Sequence, residues 1–273
     1  MPFLTAEDRK LFEEEGYFII RNVYNPSEVQ RIIDLYQDLW IDKVKKGHIQ
    51  QDSKYPMESL FPTLHEVQRE NEVLKDFMLE DRNFAIAEEI LGSEPLLIGT
   101  TCFFKAPHTK ALPFHQDNID NGCIPDRNVA LWVSLDGSDP SNGSLCFIPR
   151  SHKNGLYSIN LPATHPYGVL STNVNGETGD ETKIVHIKTN PGDVVIFDGN
   201  TIHGSNSNST STRFRRSFAM HFTTKTVEKV FANFTHLYNK RGDVVQRPVN
   251  KKHGKIRSLL LPPKKMEEGD KIY

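Results

Sequence analysis

The sequence predicts a mainly β protein with supporting α-helices, and three observations carry that reading. From residue 96 onward, six runs rich in β-branched and aromatic residues follow one another, at 96–105, 129–135, 144–148, 184–188, 194–198 and 214–223. Turn chemistry separates them, most clearly Asp139-Pro140-Ser141-Asn142-Gly143 and Asn190-Pro191-Gly192-Asp193. Between residues 29 and 44 the apolar residues recur instead at helical spacing. The expected organisation is one domain over 1–273. It has a mainly helical support at 1–92, a sandwich or barrel of short strands at 93–224, and a C-terminal wrap at 225–273.

Taken in order, Thr5 reads as an N-cap before the acids Glu7 and Asp8, and Gly16 as the stop of that first helix. Residues 17–23 read as a short strand. Asn25-Pro26 supplies the next N-cap with proline at the first helical position. Val29, Ile32, Ile33, Tyr36, Leu39, Trp40 and Val44 then mark one face of a long helix that ends at Gly47. Residues 48–80 show no steady period and are punctuated by Pro56 and Pro62, so an active-site lid and a plain surface loop both fit. Residues 82–91 read as a short helix stopped by Gly92. A polar excursion is expected at about 152–182.

The 273 residues are 37% hydrophobic and 25% charged with a net charge of −2, which fits a globular chain and leaves no basic footprint for nucleic acid. Lys43-Val44-Lys45-Lys46 sits at a predicted helix end, where cations favour the dipole. Cys102, Cys123 and Cys146 form no C-x-x-C pair, which suits a reduced, cytoplasmic protein. No signal-peptide pattern opens the chain and no window reaches 18 apolar residues, so no membrane partner is expected.

The chemistry centres on Pro113-Phe114-His115-Gln116-Asp117-Asn118. On an extended strand, His115 and Asp117 would project from one face at adjacent pleats. A lone H-x-D among 11 histidines is a weak signal. His203, in Thr201-Ile202-His203-Gly204-Ser205, supplies a third ligand, and two histidines with one carboxylate suit Fe(II) and leave positions open for reactants. A zinc hydrolase on the same ligands is the alternative. Read as a strand, the segment after His203 puts Arg215, Ser217, Ala219 and His221 on one face. Phe214, Phe218, Met220 and Phe222 share the other with Arg216. An arginine beside small residues can clamp a carboxylate, with Arg213 on the same face as its competitor.

These residues resemble the phytanoyl-CoA dioxygenase family of Fe(II)/2-oxoglutarate oxygenases. The matches run in order along most of the chain: Gly16-Tyr17-Phe18-Ile19-Ile20, Phe104-Lys105-Ala106-Pro107 before the H-x-D, and Asn142-Gly143-Ser144-Leu145. Ile148-Pro149-Arg150-Ser151-His152, Pro191-Gly192-Asp193 and the His203-Gly204-Ser205 turn with its arginine strand follow. The resemblance implies a double-stranded β-helix core (jelly-roll, cupin-like) with iron held by His115, Asp117 and His203. It implies that Arg215, supported by Ser205, binds the distal carboxylate of 2-oxoglutarate, and that Trp132 and Thr101 line that cosubstrate. A core role for Trp132 is the alternative. The interval from His203 to Arg215 is a residue longer than usual, which keeps Arg213 open.

The implied reaction consumes O2 and 2-oxoglutarate and releases succinate and CO2 as a small-molecule substrate is hydroxylated, with ascorbate as reductant in vitro. Relatives that halogenate carry a small residue at the carboxylate position, so Asp117 argues for hydroxylation, desaturation or ring formation. For the substrate, Lys105 is expected on a strand face with Thr101 and Phe103, and Asn118 next to the metal aspartate. This polar set favours a zwitterionic or anionic metabolite, such as an amino acid derivative or aminophosphonate. An acyl-CoA or natural-product oxygenase is the alternative within the family, and a non-catalytic 2-oxoglutarate-binding protein lies outside it.

Overall fold

A computed structural model describes residues 2–156 and 184–251. Most of the expected polar excursion, and the chain beyond 251, lie outside the described residues. The helical support begins with α1 (Ala6–Glu15), whose N-cap Thr5 forms a reciprocal capping box with Asp8, and Gly16 closes it in the left-handed region at φ 85°. Next come β1 (Tyr17–Ile20) and α2 (Pro26–Lys45), capped by Asn25 and Glu28. α2 buries Val29, Ile32, Ile33, Tyr36 and Leu39, the stripe its period predicts.

The segment 48–80 differs from expectation. It contains α3 (Pro56–Leu60), β2 (Leu64–His65) and α4 (Glu72–Met78). Elements this short never complete enough turns or pleats for a period to show. α5 (Asp81–Leu91) then leads into the β region.

The remaining elements are β3 (Pro95–Phe103), β4 (Leu112–His115), α6 (Asp117–Asn121), β5 (Asn128–Ser134), β6 (Leu145–Phe147) and β7 (Val185–His186). They continue with β8 (Val194–Asp198), β9 (His203–Ser205), β10 (Ser217–Thr224), β11 (His236–Tyr238) and β12 (Val244–Gln246). They form two antiparallel sheets. The larger runs β1-β8-β5-β10-β3-β11-β12 with β2 also on β3, and the smaller runs β4-β9-β6-β7. The segment after 224 is therefore more than a surface wrap, because β11 pairs with β3 at Tyr238 and Leu97 and buries Leu237.

Alternation along the central strands sorts the core into two layers. On β5, Val129, Leu131 and Val133 join β8 residues Val194 and Ile196 and β10 residues Phe218, Met220 and Phe222 in the cluster under the helices. Ala130, Trp132, Val195, Phe197 and Ala219 face the other way and pack with Leu145 and Phe147 of the smaller sheet. Side chains at successive positions point to opposite faces, so one pattern produces both layers. Tyr36 ties the helical layer to the sheet by donating from Oη to the Ser217 carbonyl at 2.6 Å. Among the described residues, no helix is long and apolar enough to cross a membrane.

Candidate metal centre

β4 and β9 pair antiparallel with His115 directly opposite His203, and their ring centroids lie 4.3 Å apart. Gly204 permits this approach, since a Cβ there would stand 2.7 Å from the Leu112 carbonyl oxygen and against the backbone of Phe114. Asp117 reaches the pair by a different route from the one the sequence suggests. The strand ends at His115, Gln116 is the N-cap, and Asp117 opens α6. The two side chains meet because the chain turns from strand to helix between them, not because they share a strand face.

The three side chains converge, with one potential ligand atom from each lying within 4.8 Å of the others. Asp117 Oδ1 is 3.5 Å from His115 Nε2 and 3.6 Å from His203 Nε2. Each histidine is oriented by its own backbone: His115 Nδ1 donates to the Pro113 carbonyl at 2.9 Å and His203 Nδ1 to the Thr201 carbonyl at 3.0 Å. With the hydrogen on Nδ1, both Nε2 lone pairs face Asp117, as metal ligation requires. Burial drives the His203 imidazole down to about 4, which keeps it neutral. Burial would raise the Asp117 carboxyl, but the imidazoles of His203, His221 and His115 outweigh it and hold it below the usual carboxylate range. Burial also depresses His115, and the hydrogen bond and charge of Asp117 more than reverse that. Two imidazole Nε2 atoms and one carboxylate are the donor set of a 2-His-1-carboxylate iron site, so the residues fit that metal.

The three neighbouring arginines separate cleanly. Arg213 is surface-paired with Asp139 at 2.7 Å, and Arg216 binds Asp136 through Nε at 2.9 Å and Nη2 at 2.8 Å. Arg215 is 2% exposed. It donates to the Gly143 carbonyl at 3.0 Å and to Ser217 Oγ at 2.7 Å, and its guanidinium lies 5.3 Å from the centre of the Trp132 ring. Trp132 and Thr101 are the register partners of Ala219 on either side of β10, so both face the layer that holds Arg215.

Lys105 is not on a strand face with Thr101 and Phe103. β3 ends at Phe103, and Lys105 has a φ of +20°, which breaks the alternation. Its Nζ donates to Ser205 Oγ at 3.1 Å and to the Lys110 carbonyl at 2.8 Å, and its stem lies over Gly143, where a Cβ would overlap it. Burial first, then the neighbouring Arg215 charge, lowers the lysine to about 7. The buried Arg215 and the half-buried Lys105 thus flank Ser205 and Gly143 with no carboxylate in ion-pair contact among the described residues. Unpaired buried charge is costly, and an anionic ligand would relieve it.

Asn118 is fully buried, and its amide is used within the fold. Nδ2 donates to Asn200 Oδ1 at 3.3 Å, and Oδ1 accepts from the Cys123 N–H at 3.2 Å. Two histidines, one beside a metal ligand and one beside Thr101, have no role in the sequence reading. His221 approaches Asp117, and His65 on β2 contacts Thr101 Oγ1 at 3.3 Å. The pattern gave one signal for His221, its position six residues beyond Arg215 on the same face.

The sequence model of the phytanoyl-CoA dioxygenase (PhyH) family matches residues 12–217. The chain is 26% identical over 234 residues to human peroxisomal phytanoyl-CoA dioxygenase, covering 80% of this chain and 68% of that protein. It is 26% identical over 221 residues to ectoine dioxygenase of Stutzerimonas stutzeri, covering 76% and 73%. EctD from S. alaskensis with bound Fe shares the fold at a TM-score of 0.69 and 20% identity, covering 91% of this chain and 88% of that one.

Proposed function

The chain belongs to the phytanoyl-CoA dioxygenase (PhyH) family of Fe(II)/2-oxoglutarate-dependent dioxygenases, and from that membership we propose that it hydroxylates a small polar metabolite, zwitterionic or anionic. His115, Asp117 and His203 hold Fe(II). Arg215 and Lys105 together take the distal carboxylate of 2-oxoglutarate, with Ser205 oriented between Lys105 and that group, and Trp132 and Thr101 form its walls. Bound together, Fe(II) and 2-oxoglutarate supply the oxidising power that inserts one oxygen atom of O2 into a substrate C–H bond while succinate and CO2 leave.

The chain's own residues prepare the site. The Pro113 and Thr201 carbonyls fix both imidazole tautomers before metal arrives. Asp117 brings the negative charge that favours a divalent cation. Arg215 and Lys105 would hold the distal carboxylate of the cosubstrate, and the apolar layer of Trp132, Phe147 and Phe197 keeps bulk water away.

The observation that carries the reading is the pairing of two features: a pre-oriented N2O ligand set, and the buried Arg215 beside the half-buried Lys105 with no carboxylate paired to either among the described residues. A zinc hydrolase needs the first and has no use for the second. The polar lean on substrate rests on His221 beside Asp117 and on the polar His65–Thr101 pair, and the similarity to an ectoine dioxygenase agrees with it. The similarity to phytanoyl-CoA dioxygenase makes an acyl-CoA the competing substrate. Succinate release from 2-oxoglutarate with Fe(II) and ascorbate should rise with amino acid derivatives or aminophosphonates. Stimulation by acyl-CoA alone would replace the substrate class. Binding of 2-oxoglutarate with no decarboxylation would leave a non-catalytic binding protein.

A further inference from the structure

The two oxygens of Asp117 keep different company. Oδ1 faces the Nε2 atoms of His115 and His203, whereas Oδ2 lies 3.4 Å from His221 Nδ1. Asp117 Oδ2 and His221 Nδ1 are both buried, and neither has a hydrogen-bond partner. At 3.4 Å the contact falls just outside the 2.7–3.2 Å range of a formed N–H···O bond. Two orphaned polar atoms facing one another at that distance need only a small shift of the carboxylate to pair.

His221 is well placed to do this. Its register partners are Gly99 on β3 and Ala130 on β5, so it sits on the central strand between them. The register of β10 against β3 shifts between His221 and Phe222, a local irregularity of the kind that re-aims a side chain. The same strand begins two residues after Arg215, so β10 can order both ends of the site.

We propose that His221 is a positioning residue for the metal carboxylate: with metal on Oδ1, a His221 ring N–H donates to Oδ2 and holds Asp117 monodentate. The inference rests on the iron reading of the site. Its consequence is chemical. A carboxylate free to turn can chelate through both oxygens and so occupy a coordination position that reactants require. A donor on the distal oxygen prevents that turn, and outer hydrogen bonds of this kind typically tune metal affinity by about 10–100-fold.

Anaerobic titration with Co(II), whose visible absorption reports coordination number, tests this on the full chain with and without 2-oxoglutarate. His221→Ala should weaken Co(II) binding by about 10–100-fold and change the band shape and intensity, as a bidentate carboxylate alters the coordination. His221→Leu, which fills the ring's space without a donor, should behave the same way. His221→Asn, whose Nδ2 lies near the position of the ring Nδ1, should restore most of the affinity and the wild-type spectrum. Wild-type Co(II) uptake with unaltered affinity and spectrum in the alanine and leucine variants would overturn the inference alone. So would a variant that changes only the KM of the organic substrate. A wild-type chain that takes up no Co(II) would overturn the iron reading, and the inference with it.

Discussion

His115 and His203 sit directly opposite each other on β4 and β9, and the glycine next to His203 is what lets the strands come this close. Gly204→Ala should therefore weaken metal binding although no ligand is removed. The new Cβ would press on the Leu112 carbonyl and shift one histidine against the other. Overpacking of this kind typically costs about 1–3 kcal/mol of stability. Calorimetric metal titration and a thermal melt on the same sample check both effects.

Lys105→Met should raise the Kd for 2-oxoglutarate by about 10–100-fold, the worth of one hydrogen bond to a charged group at about 1.5–3 kcal/mol. Metal affinity without cosubstrate should hold, because Lys105 touches Ser205 and Gly143 rather than a ligand. Isothermal titration with 2-oxoglutarate, and separately with Fe(II), distinguishes the two. A rise confined to the KM of the organic substrate would return Lys105 to the substrate mouth.

The same lysine gives cosubstrate binding a pH dependence. Its value of about 7 means it is charged below that pH and increasingly neutral above it. A carboxylate prefers the charged form, so affinity for 2-oxoglutarate is full below about pH 7. It should fall as pH rises from 7 towards 9, by at most about tenfold per unit. In Lys105→Met the curve should be flat over this range. Kd measured at half-unit intervals in one buffer series is sufficient.

Tyr36→Phe should destabilise the protein by about 1 kcal/mol through loss of the Tyr36 Oη to Ser217 carbonyl hydrogen bond. The buried ring remains, so α2 stays seated on β10 and metal binding persists. Denaturant unfolding monitored by far-ultraviolet circular dichroism measures the change.

Much of this was legible in the chain because it rests on patterning. The alternation of Val129, Leu131 and Val133 against Ala130 and Trp132 announces a strand between two layers. Thr5, Gly16, Asn25 and Gly92 mark helix ends by cap chemistry. The gathering of His115, Asp117 and His203 was also foreseeable, though by a strand-to-helix turn rather than a shared pleat. The strand-face placement of Lys105 fails because nothing in Phe104-Lys105-Ala106-Pro107 signals that β3 stops at Phe103. The partners of Asn118, Asn200 and Cys123, are not legible in the sequence because they are brought to it only by tertiary folding. Short elements such as β2 and α3 carry too few residues to declare a period.

Anaerobic addition of Fe(II) to the purified chain with 2-oxoglutarate, followed by visible absorption, tests the central claim most directly. A charge-transfer band should appear only when both are present, saturate at about one Fe(II) per chain as three ligands from one chain imply, and vanish in Asp117→Ala and Arg215→Ala. No band in the wild-type chain, or tight zinc binding indifferent to 2-oxoglutarate, would contradict it.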